Sequence, residues 1–250
     1  MLRLSTDLHR ALNNEQFVLY YQPIVDIQSN AIVSVEALIR WKMPSGKIVT
    51  PEFFIPQLEE TNFILKVGLW VIKTACHQMK RWQSSGFHSV SVNISVRQLN
   101  DQLINIIKNT LDEMELKPEN LILEITESML MQQTYIAIDI LGALETLGVN
   151  ISIDDFGTGY SSFAYLKNFR LQFLKIDKSF VSDLHESERS KSIVTAIILM
   201  AHALGLKTIA EGVETKEQLV FLKEQKCDMY QGYYFSHPLS AEALERAFFK

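Results

Sequence analysis

The chain has 250 residues, 47% hydrophobic and 21% charged, enough to bury one large core, and α/β barrels reach this size as one domain. Its formal net charge of −5 argues against a nonspecific phosphate-binding surface for DNA or RNA, which needs clustered Lys and Arg. The two cysteines, Cys76 and Cys227, sit in apolar surroundings, which suits packing residues in a reducing compartment and no disulfide framework.

Met1 to Asn14 carries Arg3, Asp7, His9 and Arg10 among its leucines and reads as an amphipathic lead-in helix, not a secretory signal. A single domain over 1–250 is expected, with a lead-in helix and linker over 1–16 and a barrel over 17–250. Phe17 to Ile27 is β-like, Gln28-Ser29-Asn30 supplies a turn, and Ala31 to Trp41 is a second strand expected to pair antiparallel with the first. On it Glu36, Leu38 and Arg40 share one face, the carboxylate deeper and the guanidinium nearer the strand's exit. Thr50-Pro51-Glu52 reads as a helix start with a capping hydroxyl, and Phe53, Phe54, Ile55 and Leu58 as that helix's apolar side. A longer helix follows, with Ile64, Leu65, Leu69, Ile72, Cys76 and Met79 at helical spacing and Gly86 past its end.

Strand and helix then alternate. Strands are expected over His88 to Ser95, Leu121 to Glu127, Ile151 to the Asp154-Asp155 pair, Phe173 to Asp177, Lys207 to Glu211 and Met229 to Gln231. The helices between and after them run over Leu99 to Met114, Tyr135 to Leu147, Ser162 to Lys167, Glu188 to Leu204, Lys216 to Gln225 and Ala241 to Phe249. Eight strands in this alternation point to an α/β fold, a modified TIM (β/α)8 barrel whose first strand runs antiparallel. The longest apolar passage, Ile193 to Leu206, is too short to cross a bilayer, so no direct membrane insertion is expected. Asn93-Ile94-Ser95 matches a glycosylation acceptor formally but lies in a strand-like run. Gly148 precedes Asp154 by the same count as Gly205 precedes Glu211, an echo of shared helix–turn–strand geometry.

Ile151 to Ser162 is the stretch that organises the rest. Adjacent strand residues point to opposite faces, so Asp154 and Asp155 can serve one site only if the chain bends, which Phe156-Gly157-Thr158-Gly159 permits. Two carboxylates forced together repel, so a cation should hold them. A Rossmann fingerprint is rejected, because Gly157 and Gly159 lack the third glycine and the helix that should open there.

The other strand exits carry Glu36 and Arg40, Asn93, Glu124 and Glu127, Lys175 and Asp177, Glu211 and Glu214, and Gln231. In a barrel these exits converge on one rim. Taken singly, Glu127, Asp177 and Glu214 read best as solvated rim charges. The convergence of five or more acids and an amide reads as a site, because unpartnered buried carboxylates are costly. Oxygen donors from Glu36, Asn93, Glu124, Asp154 and Asp155, with no Cys or His at any exit, suit hard divalent ions such as Mg²⁺ or Mn²⁺. Two such ions would polarise a phosphate and activate a water, with Lys175 beside them to orient the hydroxide or stabilise developing charge.

Tyr21-Gln22-Pro23-Ile24, Glu36-Ala37-Leu38-Ile39-Arg40-Trp41, Val92-Asn93-Ile94-Ser95, Glu124-Ile125-Thr126-Glu127, Asp154 through Ser162, Lys175-Ile176-Asp177, Ala210-Glu211-Gly212-Val213-Glu214 and Gln231-Gly232 together resemble the EAL-domain phosphodiesterases of bacterial cyclic di-GMP signalling. The resemblance implies a cytoplasmic, cyclic-guanylate-specific phosphodiesterase that hydrolyses cyclic di-GMP to linear pGpG with two Mg²⁺ or Mn²⁺ ions. It makes Glu36, Asn93, Glu124, Asp154 and Asp155 metal ligands, Asp154 shared, and gives Glu36 a catalytic part as well. Lys175 and Glu211 resemble the pair that positions the attacking water. Gln22, Arg40, Gln231 and Glu214 look like substrate contacts, and Glu127 resembles the residue that stabilises the Asp155 to Tyr160 loop. The resemblance also implies a homodimer and an upstream sensory or GGDEF module in a parent protein, which a membrane could anchor. A catalytically inactive module acting as a cyclic di-GMP receptor is the alternative. Ser34 and Asn62 stand where glycine is frequent and Ile39 where leucine is commoner, and none of these departures removes a ligand.

Overall fold

The computed structural model describes residues 2–83, 86–131, 135–158 and 169–249. β1 (Phe17–Asp26) and β2 (Ile32–Lys42) form the expected antiparallel hairpin, with Gln22 opposite Glu36 and Val18 opposite Arg40. β3 (Ile48–Val49) adds two residues to the edge of β2. From β2 the sheet runs parallel through β4 (Ser89–Asn93), β5 (Leu121–Thr126), β6 (Asn150–Phe156), β7 (Phe173–Ile176), β8 (Lys207–Ala210) and β9 (Met229–Tyr230). β9 then pairs antiparallel with β1 and closes the eight-stranded barrel. β10 (Leu239–Ser240) also pairs with β1, so that strand changes partner between Tyr21 and Val25. Gln22 and Pro23 occupy the change, where β1 pairs with β2 alone.

The helices are α1 (Leu2–Asn13), α2 (Ile55–Glu60), α3 (Ile64–Trp82), α4 (Asp101–Met114), α5 (Glu127–Met131), α6 (Tyr135–Leu147), α7 (Lys178–Ser182), α8 (Glu188–Ala203), α9 (Lys216–Glu224) and α10 (Ala241–Phe248). The short α5 and α7, directly after strands β5 and β7, are too brief to leave a periodic signature. The helix expected over Ser162 to Lys167 lies outside the described residues.

Two expectations about α2 and α3 are corrected. Pro51–Phe53 is a 3-10 turn and Thr50 makes no capping hydrogen bond through its side chain. That turn swings Phe53 out to 75% exposure, while Phe54 is fully buried against Phe17 and Trp41. In α3 Ile64, Ile72, Cys76 and Met79 are buried as expected and are joined by Val67, Val71, Ala75 and Trp82, whereas Leu65 is exposed and Leu69 only half-buried.

The approach to four of the parallel strands, β5, β6, β8 and β9, is built one way. Glu115, Gly148, Gly205 and Lys226 all adopt positive φ just beyond a helix. The next residue, Leu116, Val149, Leu206 or Cys227, donates its N–H back to a carbonyl of the last helical turn, at 2.9 to 3.1 Å, and is buried. This closure satisfies helix-end carbonyls and drives an apolar residue into the core before the strand. Gly148 and Gly205 carry the echo seen in the sequence; Glu115 and Lys226 make the same turn without glycine. Both cysteines are free and buried, their thiols pushed up by burial to about 12 at Cys76 and about 11 at Cys227. No helix among the described residues is long and apolar enough to cross a membrane.

Candidate active site

Seven parallel strands bring their C-terminal ends to one rim, and the alternation along each strand decides what reaches it. Leu123 and Ile125 of β5 are buried in the hydrophobic core, so Glu124 between them points into the barrel. Lys175 of β7 does likewise between Leu174 and Ile176. Strands β2, β5 and β7 are not neighbours, yet their inward side chains meet at Lys175, which is 1% exposed.

The Lys175 Nζ lies 2.7 Å from Glu211 Oε1, 2.9 Å from Glu124 Oε2, 3.1 Å from Asp154 Oδ1 and 3.4 Å from Glu36 Oε2. Here is the cation that the aspartate pair requires. Asn93 Nδ2 donates to Glu36 Oε1 at 2.8 Å and Gln231 Nε2 to Glu36 Oε2 at 2.6 Å. Gln231 Nε2 also lies 3.0 Å from Gln22 Oε1, and Gln22 Nε2 reaches the Ser236 carbonyl at 3.3 Å. Glu36 is therefore held on both oxygens.

Adjacent acids reach the same rim because β6 is irregular there. Its pairing with β7 jumps from Ile153 to Phe156, and Asp155 has φ 54°, so the bend falls on the second aspartate itself, one residue before the expected turn. An extra residue in one strand re-aims side chains in this way, and Asp is among the few residues other than Gly that enter this region readily. Asp155 N–H donates to Asp154 Oδ1 at 3.1 Å, and Thr158 Oγ1 closes on the Asp155 carbonyl at 2.9 Å. Asp154, Asp155 and Glu211 each offer an oxygen within 4.8 Å of the others.

Burial drives Glu36 up, but Lys175 and the Gln231 and Asn93 donors outweigh it and hold the carboxyl below its ordinary range. Glu124 goes the other way, raised well above that range by burial and by the charge of Glu36. Burial lifts Glu211 to about 8 against the opposing Lys175, and lifts Asp155 to about 6, with Asp154 and Asp177 adding to it. For Lys175 burial works against the charge, and its four carboxylates more than restore it. Like charges crowded in a dry site keep protons unless positive charge arrives.

The donor set fits hard divalent ions. Glu124 Oε1 and Gln231 Oε1 are buried with no hydrogen-bond partner among the described residues. Five carboxylates, Glu36, Glu124, Asp154, Asp155 and Glu211, face one ammonium, an excess of four negative charges that two divalent cations would balance.

Two acids expected to be solvated are buried. Glu127 is 4% exposed and accepts the Gly157 N–H on Oε2 at 2.9 Å; Asp177 is 8% exposed and caps α7 at Ser179 N–H. Each stands at the start of a short helix directly after its strand, and for Asp177 this is a capping role that propensity did not reveal. Glu214 is exposed; its N–H bonds Gln218 Oε1. Arg40 is half-buried, one nitrogen on the Ile39 carbonyl at 2.9 Å and its guanidinium carbon 5.9 Å from the Tyr20 ring centre. Gly232 is required: a Cβ there would lie 2.1 Å from the Val213 carbonyl oxygen, so only glycine lets the loop after Gln231 wrap that backbone. Sequence reasoning passed over Glu59, whose Oε1 takes the Ser95 hydroxyl at 2.6 Å beside a cavity of about 550 Å³ lined by Asn93, Ile55, Pro56, Val67 and Thr126.

The description "EAL domain" matches residues 5–238. The signaling protein YkoW of Bacillus subtilis (strain 168) is 44% identical over 241 residues, which is 96% of this chain and 30% of that protein. The cyclic di-GMP phosphodiesterase PdeR of Escherichia coli (strain K12) is 39% identical, covering 98% of this chain and 37% of its own length. The chain thus spans about a third of the curated relatives it matches. The solved structure "PaMucR Phosphodiesterase, c-di-GMP complex" superposes with a TM-score of 0.93 at 41% identity, covering 97% of this chain and 99% of that one.

Proposed function

We propose, from the premise that this chain belongs to the EAL-domain family, that it hydrolyses a phosphodiester bond of cyclic di-GMP to give linear pGpG, with two Mg²⁺ or Mn²⁺ ions. The observation that carries this reading is the meeting of Glu36, Glu124, Asp154 and Glu211 around the Lys175 ammonium at the barrel's C-terminal rim. Relatives named as cyclic di-GMP phosphodiesterases support the substrate.

Glu36, Asn93, Glu124 and Asp154 would hold the first ion and Asp154 and Asp155 the second. When bound, the pair supplies Lewis-acid polarisation of the phosphate and a more acidic water. Glu211, ion-paired to Lys175 at 2.7 Å, is placed to take a proton from the attacking water, and bound cations would offset the burial that otherwise keeps it protonated. Lys175 orients that water and stabilises charge on the phosphate oxygens. The guanidinium of Arg40 offers its remaining donors to a phosphate in forked geometry, and Gln22, Gln231 and Glu214 contact the nucleotide. Glu127 fixes the loop after Asp155 through Gly157. The new P–O bond forms as the P–O3′ bond breaks, and the 3′-oxygen leaves with a proton.

We assign the domain to the cytoplasm, acting as a homodimer beneath an upstream sensory or GGDEF module and binding neither DNA nor RNA. Incubating the chain with cyclic di-GMP and Mg²⁺ or Mn²⁺, followed by chromatography, should yield pGpG, and chelation should stop it. Retention of the unhydrolysed dinucleotide with both ions present would replace this reading with the receptor alternative.

A further inference from the structure

Beneath the acidic ring, one side of the barrel interior is lined with hydroxyls. Ser34 of β2, Ser89 and Ser91 of β4 and Ser152 of β6 share the inward faces that carry Glu36, Asn93 and Asp154 at positions two or four residues further along. Ser91 is the Cα partner of Glu36 on the neighbouring strand, and Ser152 is the partner of Glu124. Ser34 and Ser89 bond each other at 3.0 Å, and Ser34 also bonds the Ser89 carbonyl.

Ser91 and Ser152 do neither. Both are fully buried, and Ser91 Oγ, Ser152 Oγ and the adjacent Glu124 Oε1 are all without a partner at hydrogen-bond geometry among the described residues, although the Ser91 hydroxyl faces the Glu124 carboxylate closely enough to favour its charged form. Three such atoms in one place are a deficit that native interiors make good, most simply with water that bonds two to four polar groups. A cavity of about 530 Å³ at the N-terminal face is lined by Ser34, Ser89, Ile122, Asn150 and Phe173, and it reaches the strand positions two residues before Ser91, Glu124 and Ser152 but not those residues themselves.

We propose that Ser91 and Ser152 form a binding site for ordered internal water, which hydrogen-bonds Glu124 Oε1 and fixes that carboxylate as a ligand from below. The two serines are positioning residues, since they reach the ion only through Glu124. The competing account is steric: small residues there make room for the fully buried Lys175. Alanine is smaller still, so that account expects alanine to be harmless.

The experiment uses Ser91→Ala, Ser152→Ala and the double variant, with melting without ions as a check on folding. Water ¹⁷O magnetic relaxation dispersion of the ion-free protein counts long-lived internal waters, and calorimetry measures Mg²⁺ affinity. The double variant should lose at least one long-lived water and roughly tenfold in Mg²⁺ affinity, the scale of outer-shell changes at metal sites, with KM for cyclic di-GMP unmoved. Unchanged water and unchanged affinity overturn the proposal in favour of the steric account. Lost water with full affinity overturns the positioning role, and lost affinity with no lost water overturns the water. The proposal rests on the ion-binding reading above, whose failure is separate: a wild type that binds no Mg²⁺ refutes that reading and the positioning role with it, while the relaxation measurement still tests the water.

Discussion

Lys175→Met keeps the length of the side chain and removes its charge, leaving Glu36, Glu124, Asp154 and Glu211 without the ammonium that lies 2.7 to 3.4 Å from each. Removing one member of a buried ion cluster costs about 3–5 kcal/mol, because the charges left behind remain dry. For a chain of this size that corresponds to a fall in Tm of roughly 6–20 °C in chelator. Part of the loss should be relieved as the carboxylates take up protons, so the deficit should narrow at lower pH. Saturating Mg²⁺ should restore stability by mass action, about 2.7 kcal/mol at a hundredfold excess over Kd, because the ions supply the missing positive charge. Turnover should stay lost, since no ion replaces a donor aimed at the attacking water. The assay is thermal melting by circular dichroism with and without Mg²⁺, paired with product chromatography. A variant as stable as the parent in chelator would refute the view of Lys175 as the cluster's counter-ion, and one with parental turnover would refute its catalytic assignment.

Glu36→Gln preserves the volume that Asn93 and Gln231 grip and deletes the charge, so it should keep its circular dichroism spectrum while pGpG formation falls below detection. Glu211 and Glu124 hold protons more tightly folded than unfolded, so in the ion-free protein their contribution is fully present below their ordinary range and is lost as pH rises. The ion-free Tm should therefore decline between pH 5 and 8 by roughly this linkage, and Mg²⁺ binding should release protons in that window, read by calorimetry in buffers of different ionisation enthalpy; an ion-free Tm that rises there contradicts both assignments. Gly232→Ala forces a Cβ to 2.1 Å from the Val213 carbonyl oxygen and should cost about 3 kcal/mol, the upper end for overpacking, while releasing Gln231 from Glu36. Parental melting of that variant would show that the loop has room to shift.

The barrel was legible because its signals are periodic. An antiparallel hairpin followed by alternating strands and helices leaves few topologies once crossovers must be right-handed, and helix α6 falls on Tyr135–Leu147, as its pattern implied. Elements too short to repeat, β3, β10, α5 and α7, left no such trace. The helix closures show the same limit: Gly148 and Gly205 announce a left-handed turn, whereas Glu115 and Lys226 make it under the pull of the apolar residue that follows. Phe53 and Phe54 are indistinguishable by composition, and only the 3-10 turn decides which is buried.

The acids were legible as a group for a different reason. A carboxylate between two core positions, as Glu124 is between Leu123 and Ile125, has no bland explanation on a buried strand. What the sequence could not convey is the division of labour within the group, because it depends on spacing across the barrel. Glu36 and Glu124 both face Lys175, yet the first is held below its ordinary range by Lys175 together with two amide donors and the second is driven toward its proton by burial and by the charge of Glu36. Asn93 and Gln231 contribute to that difference from β4 and from the turn after β9, two strands on opposite sides of the hairpin. The irregularity at Asp155 is the same kind of fact: two adjacent aspartates in a strand predict opposite faces, and only the jump in pairing with β7 turns them into neighbours. The strain of a non-glycine residue at φ 54° is therefore the local cost of delivering two ligands from one strand, and Gly157, held by Glu127, is where the chain recovers its course.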